Sequence, residues 1–346
     1  MAQKEITRPL DLLGGDGRIV EEGWARRPFW KYDRSKIAAP SWRIKEWDYY
    51  HVISHEGNYG ITFTISDLGY LGLFSVAWVD LASGKVSQSE EMSFFPLGRT
   101  GFSESSEAGD LKRESAKISL SFSIGGGRRH LSAVCPGFVA PDGSTGLKAD
   151  MELEDPPGAE SMNIATSWKE NRRAFYYNRK INCMPARGTV RLGSRSYAFS
   201  PSSSSGGLDW GRGVWTYRNR WYWGSASGLL GGVPFGWNIG YGFSDRSPAS
   251  ENMLFYAGKA HKLEEVSFGI DTSDYLAPWK FGSSDGRFEM DFQPAVDRSS
   301  STDLLLIKSI QHQVFGYFTG RVVLDDGTTL EVDHFAGFAE DVLNWW

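Results

Sequence analysis

The chain has 346 residues and a formal net charge of -5, with 40% hydrophobic and 23% charged residues. This is the composition of a folded protein, and it excludes wholesale disorder. It also excludes the basic footprint of a nucleic-acid-binding protein, so we expect no nucleic-acid partner. The length exceeds what one hydrophobic core comfortably supports and favours two domains.

Glycine and aromatic residues are unusually frequent, with 40 Gly, 14 Trp, 14 Tyr and 21 Phe. Aromatic side chains suit pleated sheets, where they pack across neighbouring strands. Glycine supplies turns, bulges and bends in closing sheets. The composition therefore favours a β-barrel or β-sandwich over a helical or doubly wound fold.

The N-terminus and the cysteines predict the cellular compartment. Residues 1–5 do not begin a signal peptide, and no apolar stretch approaches the length of a membrane-spanning helix. Cys135 and Cys183 lie far apart and show no metal-type spacing. We expect a cytoplasmic protein with two free, buried thiols, while a disulfide between them is the alternative.

In chain order, an irregular segment is followed by short strands. Residues 1–40 are interpreted as an extended arm that packs across a barrel. Apolar and polar residues then alternate in short segments, most clearly at Ile118–Ile124, and Asp325-Asp326-Gly327 marks a hairpin turn. Helical periodicity is weak, and the candidate helices are Asp110–Ala116 and Glu340–Trp346.

These patterns predict an all-β fold of two tandem antiparallel barrels or sandwiches with few short helices. The predicted units are the arm at 1–40, a first barrel at 41–195 and a second barrel at 196–346. The serine- and glycine-rich stretch 201–207 is either a linker or a loop that leads into the next strand.

The densest group of candidate site residues lies at Asp209–Gly213. A carboxylic acid kept neutral by apolar surroundings can protonate a double bond, and aromatic faces can stabilise the resulting cation. Asp209, beside Trp210, is therefore a candidate catalytic acid. The alternative is an ionised Asp209 paired with Arg212 or Arg218. The candidate ligand-binding residues here are Trp210, Arg212, Trp215, Arg218, Trp221 and Trp223.

A second group lies in the predicted strand Arg43–Ile53, where Glu46, Asp48 and Tyr50 share one face. Two neighbouring carboxylates can raise one pKa, which makes Glu46 and Asp48 candidate catalytic residues. The alternative is a solvated or salt-bridged row of charges. Tyr50 is a candidate ligand contact, as is His51 on the opposite face. The residues of that opposite face are Lys45, Trp47, Tyr49 and His51.

A third group lies at Tyr176–Lys180, where Tyr177 and Lys180 occupy opposite faces of a predicted strand. An inward lysine or asparagine could orient a ligand carbonyl, whereas an edge strand protected by charge is the alternative. We include Tyr177 and Lys180 among the candidate ligand-binding residues. Asn238, from a later strand, could line the pocket or satisfy buried backbone groups.

Motifs for metals and nucleotides do not match this sequence. His51 and His55 have the spacing of a zinc-binding helix motif, but Val52 stands where that motif requires Glu, and the segment is a predicted strand. The nucleophile elbow and the phosphate-binding loop are also missing. We therefore expect neither a metal nor another cofactor.

Five segments that span nearly the whole chain carry a resemblance to a known family: Glu22–Arg26, Arg43–Tyr50, Tyr177–Lys180, Leu208–Trp215 and Glu251–Phe255. They resemble a bacterial family catalogued as domain of unknown function 2804. The resemblance implies a calycin fold with two lipocalin-like barrels side by side. Distant relatives of this type are similar to carotenoid 1,2-hydratases, tocopherol cyclases and fungal pericyclase-like proteins, which act on large apolar molecules without metal or nucleotide cofactors.

Three functions are compatible with these features. The first is a cofactor-independent enzyme that hydrates, cyclises or isomerises a lipid-like or isoprenoid molecule by acid catalysis. The second is a lipocalin-like carrier that binds a hydrophobic ligand without changing it. The third is an interaction protein whose barrels are filled by their own side chains. The ligand, the oligomeric state and the inward face of each strand are left open.

Overall fold

The computed structural model describes residues 3–304 and 307–345. Two large sheets of 13 and 9 strands dominate these residues, and the arm adds a two-stranded parallel ribbon. Within the described residues, the other regular elements are two 3-10 helices, Arg34–Lys36 and Ser41–Arg43. The predicted all-β fold of two tandem antiparallel lipocalin-like barrels with few short helices is confirmed.

The first sheet contains one strand of the arm and all strands of the first barrel. The elements up to its end are β1 (Leu10–Asp11), β2 (Gly23–Ala25), β3 (Trp30–Lys31), β4 (Ile44–Ser54), β5 (Tyr59–Asp67), β6 (Leu71–Asp80), β7 (Lys85–Phe94), β8 (Gly109–Glu114), β9 (Ser119–Gly125), β10 (Arg128–Val139), β11 (Thr145–Glu154), β12 (Met162–Trp168), β13 (Asn171–Leu192), β14 (Arg195–Phe199) and β15 (Ser204–Val214). Their order is β7-β6-β5-β4-β15-β13-β11-β10-β9-β8, with β12 and β14 paired to β13, and β2 paired to β12.

The second sheet forms the second barrel and runs in the order β19-β18-β17-β16-β24-β23-β22-β21-β20 once its strands are numbered along the chain. These strands are β16 (Arg218–Leu230), β17 (Val233–Tyr241), β18 (Met253–Tyr256), β19 (Lys259–Lys262), β20 (Val266–Gly269), β21 (Trp279–Ser283), β22 (Phe288–Leu304), β23 (Ile307–Val323) and β24 (Thr329–Trp345).

The interior of each barrel is filled by its own apolar side chains. In the first barrel the core includes Phe63, Phe122 and Met151. In the second barrel it includes Trp237 and Phe318, whose rings meet edge to face at 5.0 Å. Aromatic rings on alternate positions of curved strands therefore fill the space that a wider barrel would leave open.

Both predicted helices are wrong. Asp110–Glu114 belongs to β8, and Glu340–Trp345 belongs to β24, while Trp346 lies outside the described residues. In β24, Val342 and Asn344 are buried because the strand is hydrogen-bonded to β23 on one side and β16 on the other. This pairing overrides the local helical propensity of Glu and Leu.

Residues of the arm pack against the first barrel. Trp30 and Tyr32 are buried in the core of this barrel, and the Tyr177 hydroxyl donates to the Trp30 carbonyl oxygen at 3.0 Å. The arm also reaches the second barrel, since the Lys4 amide donates to the Pro248 carbonyl oxygen at 2.8 Å.

The chain passes from the first sheet to the second at residues 215–217, between β15 and β16. The predicted division at 195/196 lies earlier, before β15. Within the stretch 201–207, residues 201–203 form a turn and residues 204–207 are the first part of β15. Strand β15 therefore completes the first barrel and leads straight into the second.

Cys135 and Cys183 are free and buried, as predicted. Burial raises the pKa of both thiols to about 12, so both carry their protons at neutral pH. No helix of the described residues has the length and apolar character needed to cross a membrane.

Candidate active site between the two barrels

Strand β15 presents alternate residues to the two barrels. Trp210 packs in the core of the first barrel, whereas Asp209 and Gly211 on either side of it face the second barrel. A Cβ atom at Gly211 would lie 2.1 Å from ring atoms of Trp47, so glycine allows this indole to lie directly on the strand. Asp209 thus projects from a strand surface on which the neighbouring position, Gly211, has no side chain.

Asp209 is 8% exposed and is bound by two side chains of β13. Its carboxylate lies 2.8 Å from Lys180 Nζ and accepts a hydrogen bond from Asn178 Nδ2 at 2.7 Å. The alternative interpretation, in which Asp209 pairs with Arg212 or Arg218, is wrong. Arg212 bonds to Asp48 on the opposite face of β15, and Arg218 is an exposed residue at the start of β16.

The second barrel covers Lys180 with an indole. Lys180 Nζ lies 3.9 Å from the centre of the Trp223 ring, and Trp223 Nε1 donates to Asn238 Oδ1 at 2.7 Å. Asn238 Nδ2 donates to the Glu251 carbonyl oxygen at 2.8 Å, and the Tyr176 hydroxyl donates to Glu251 Oε2 at 3.1 Å. A chain of polar contacts therefore runs from β13 into the second barrel and back.

Glu340, on β24, is a further buried carboxyl at this interface. Gln313 Nε2 donates to its Oε1 at 2.6 Å, and Trp221 Nε1 donates to its Oε2 at 3.4 Å. Gln313 Nε2 also lies 3.0 Å from the hydroxyl of Tyr49, which belongs to the first barrel. The Glu340 carboxyl therefore accepts hydrogen bonds from an indole and an amide, and no cation among the described residues contacts it directly.

Lys180 interacts with three buried carboxyls, those of Asp209, Glu251 and Glu340. Burial raises the pKa of Glu340 to about 7, with Lys180 opposing the rise and the charge of Asp209 adding to it. Burial also raises the pKa of Glu251, again against Lys180 and with Asp209. Asp209 forms an ion pair with Lys180, whereas Glu251 and Glu340 form no ion pair with a described residue. The pKa of Glu340 therefore lies near neutral pH.

His51 is 3% exposed, and neither of its ring nitrogens has a hydrogen-bond partner among the described residues. Burial, followed by the charge of Lys180, lowers its pKa to about 3, so the ring is neutral. A Cβ atom at Gly207 would lie 2.4 Å from the ring, and Phe338 covers it edge to face at 5.0 Å. A neutral imidazole without hydrogen-bond partners among the described residues therefore lies near Lys180.

Glu46 and Asp48 point into the first barrel, away from this site. Glu46 accepts hydrogen bonds from the Tyr32 hydroxyl at 2.9 Å and from Arg34 Nε at 3.0 Å. Asp48 accepts from Arg212 Nη1 at 3.0 Å. Of the two alternatives to a catalytic pair, the solvated row of charges is wrong because both carboxyls are buried, and the salt-bridged row describes them.

Three other candidates also lie inside the first barrel. Trp210 stacks on the Arg212 guanidinium at 3.9 Å and meets Tyr177 edge to face at 5.3 Å. The hydroxyl of Tyr50 accepts a hydrogen bond from Arg129 Nη1 at 3.3 Å. These residues form a second buried polar group, which is separated from the inter-barrel site by the thickness of the sheet.

Of the last two candidates, Trp215 lies beside the inter-barrel site and Arg218 lies at the surface. Trp215 lies in an aromatic cluster that adjoins it, 5.4 Å from the Trp221 ring and 5.6 Å from the Tyr176 ring. Arg218 is exposed and packs over the Trp345 ring at 4.4 Å. The structure thus brings together Asp209, Lys180, Trp221, Trp223, Asn238, His51 and Trp215, and leaves Arg218 at the surface.

Glu340 and Gln313 were missed by the sequence reasoning. Glu340 fell in a predicted helix, in which Phe338, Glu340 and Val342 do not share a face. In a strand these three residues do share a face, and that pattern would have shown one carboxyl among apolar side chains.

Metal binding finds no support in the described residues, because no group of three or more His, Cys, Asp or Glu side chains is placed to hold an ion. Two small cavities adjoin the polar groups. One reaches Asp48 and Arg129 at the end of the first barrel, and the other reaches Tyr176 and Glu251 between the barrels. Each has a volume of about 10 Å³, which is room for one water molecule.

Residues 3–346 match the model of the family described as Domain of unknown function (DUF2804). A comparison with curated proteins found no match. Among solved structures, the chain is similar to a candidate AttH from Nitrosomonas europaea, with a TM-score of 0.53, 14% identity, and 91% of this chain and 98% of that chain covered.

Two further solved structures are similar to this chain. CghA with Sch210972 has a TM-score of 0.50 and 10% identity, with 87% of this chain and 88% of that chain covered. Kievitone hydratase from Nectria haematococca has a TM-score of 0.49 and 12% identity, with 91% and 92% covered. At such identities, the likeness to the AttH protein and to CghA shows a shared fold of two barrels.

Proposed function

The chain belongs to the DUF2804 family, and we propose that it is a cofactor-independent enzyme that hydrates, cyclises or isomerises an apolar small molecule by acid catalysis between its barrels. The observation that carries this proposal is the group of Asp209, Glu251 and Glu340 around Lys180. Burying a carboxyl group without a paired cation costs free energy of folding. A fold that keeps such a group at the junction of two barrels supports a chemical role for it.

We assign the proton donor to Glu340. A general acid works best when its pKa lies near the working pH, and the pKa of Glu340 is about 7. Asp209, which the sequence suggested as the acid, serves instead as the counter-ion that fixes Lys180. Glu46 and Asp48, with their arginine partners, support the first barrel from inside.

The proposed reaction begins when Glu340 transfers its proton to a double bond or a carbonyl oxygen of the substrate. The cation that forms is stabilised by the Asp209 carboxylate and by the indole faces of Trp221 and Trp223. In hydration, water then adds and its extra proton returns to the Glu340 carboxylate. In cyclisation or isomerisation, the proton returned comes from the substrate, so no net proton is consumed.

The packing of the barrels supports a site between them over storage inside one of them. Both interiors are filled by their own aromatic side chains. The polar groups without hydrogen-bond partners at the interface include His51 and the Asn178 Oδ1 atom, considering the described residues. The similarity to CghA, which was crystallised with Sch210972, supports a small-molecule ligand for a fold of this kind.

The test compares the wild-type protein with Glu340→Gln. Each is incubated with an apolar cell extract, and the extract is profiled by mass spectrometry. We expect the wild type to consume a compound and yield a product that is either isomeric with it or heavier by one water, and the variant to leave it unchanged. Glu331→Gln, an exposed change in the same strand, is the matched control. Equal turnover by wild type and Glu340→Gln would refute the proposal.

A further inference from the structure

A segment of the second barrel closes over the inter-barrel site. Residues 242–252 connect β17 to β18 and cross to the first barrel. Phe243 of this segment inserts among three aromatic side chains of the first barrel and its exit. Its ring stacks on Trp215 at 4.9 Å, meets Tyr176 edge to face at 4.7 Å and lies 6.5 Å from Trp168. Phe243 is half-buried and stands at the boundary between the site and solvent.

The backbone on both sides of Phe243 is in the left-handed region. Gly242 has a φ of 116° and Ser244 a φ of 54°. The second value is uncommon for a residue with a side chain, and such strain persists only where surrounding contacts impose it. The two positions are therefore suited to absorb a change of backbone angle when Phe243 moves.

Asp245 fastens the segment to the first barrel through charge and backbone. Its carboxylate lies 2.9 Å from Arg172 Nη2 and 3.6 Å from Lys169 Nζ, and its amide donates to the Ser167 carbonyl oxygen at 2.7 Å. The Ser244 hydroxyl adds a contact to the Thr166 hydroxyl at 2.9 Å. These contacts hold the segment against the end of β12 and the start of β13.

The aromatic pocket around Phe243 is continuous with the acid group. Tyr176 contacts the Phe243 ring and also donates to Glu251 Oε2 at 3.1 Å. Phe243 and Glu251 line the same small cavity, together with Ile164 and Arg246. A ring in the place of Phe243 would therefore lie next to a buried carboxyl.

We propose that Phe243 is a removable plug, and that the pocket of Trp168, Tyr176 and Trp215 binds a flat unsaturated or aromatic group of the substrate after residues 242–250 swing away. This inference rests on the proposed function for the site that it serves. The pocket offers ring faces and edges at stacking distances, which a planar hydrocarbon group matches and a saturated chain does not. The cavity beside Phe243 holds about one water, so a larger substrate enters only when the plug leaves.

The experiment measures amide hydrogen exchange of the full chain with and without 2-naphthol, a neutral planar probe. Binding of the probe is followed separately by quenching of tryptophan fluorescence. We expect saturating 2-naphthol to speed exchange in residues 242–250 about tenfold, because the Asp245 amide loses its acceptor, with β17 and β13 unchanged. A bound probe with unchanged or slower exchange in this segment would overturn the proposal.

Two variants keep the test decisive. Asp245→Asn weakens the ion pairs and should speed exchange in residues 242–250 without any probe, and raise the probe affinity several-fold. Asp271→Asn is the matched control, because Asp271 makes the same contacts to a serine two residues later in an unrelated loop. Phe243→Ala should also bind 2-naphthol more tightly than the wild type.

Failure of the probe to bind any of these proteins would overturn the plug. None of these readouts requires turnover, so the plug and the acid mechanism can fail independently.

Discussion

Strand β15 carries a buried charged group on each of its faces, and the two groups differ in how their charges are balanced. On the inner face, Arg212 joins Asp48 and Glu46 inside the first barrel. On the outer face, Asp209 joins Lys180 between the barrels. One short sequence, Asp-Trp-Gly-Arg-Gly, therefore contributes to two different environments.

In the inner group, each buried carboxylate has an arginine partner. Glu46 pairs with Arg34, Asp48 with Arg212, and Arg129 binds Asp155 through two parallel contacts at 3.0 and 2.7 Å. Such fork-to-fork pairing is the strongest geometry available to arginine. The inner group therefore resembles a structural network.

In the outer group, Asp209 has an ion-pair partner, whereas Glu251 and Glu340 have none among the described residues. Lys180 faces three carboxyls, and His51 next to it has no hydrogen-bond partner among the described residues. Each inner carboxylate has its own arginine, whereas two of the three outer carboxyls have no ion-pair partner among the described residues. Burial of charge alone therefore does not identify a site, whereas buried carboxyls without a paired cation do.

The largest effect is expected from Arg212→Met. This change leaves Asp48 buried without its partner, and breaking a buried pair in this way costs about 3–5 kcal/mol. The free energy of unfolding from urea titration measures it. Arg218→Met is the matched control on the exposed surface, where a loss below about 1 kcal/mol is expected. A loss of that small size for Arg212→Met would make the inner group dispensable.

The second prediction concerns the outer face and pH. The pKa of Glu340 rises from 4.5 to about 7 on folding, so the folded chain binds more protons between these values and stability falls as pH rises through them. The contribution is complete below pH 4.5, is lost above about 7, and amounts to about 3 kcal/mol.

Glu340→Gln removes this titration. We expect its unfolding free energy to decline less steeply over the same pH range than that of the wild type, as measured by urea unfolding at a series of pH values. Glu331→Gln, on the exposed part of the strand, should retain the wild-type slope. Parallel curves for wild type and Glu340→Gln would show that this carboxyl does not titrate with folding.

The faces of individual strands could be predicted from sequence because side chains alternate. Glu46, Asp48 and Tyr50 share the inner face of β4, as expected, and His51 lies on the other. The alternation at Tyr177 and Lys180 is confirmed in the same way. The barrel class followed from the frequency of glycine and aromatic residues.

The site itself could not be predicted, because it depends on how two sheets dock. Both faces of β15 are buried, so neither hydrophobicity nor charge distinguishes the inner face from the outer one. The partner of Asp209 lies on β13, and Glu340 arrives from the last strand of the other barrel. Pairings over such distances in the chain leave no local pattern to recognise.

The smallest effect is expected from Trp221→Phe. The indole Nε1 of Trp221 donates to Glu340 Oε2 at 3.4 Å, and a hydrogen bond to the ionised carboxyl favours that form. Its loss should raise the pKa of Glu340 further, while the remaining ring keeps the contact with Trp215. Carboxyl-carbon NMR of labelled glutamate follows this titration directly. Trp345→Phe, in the same strand as Glu340 but packed under Arg218, should leave the midpoint unchanged. A midpoint that moves to lower pH in Trp221→Phe would mean that the indole shields the carboxyl from water more than it binds it.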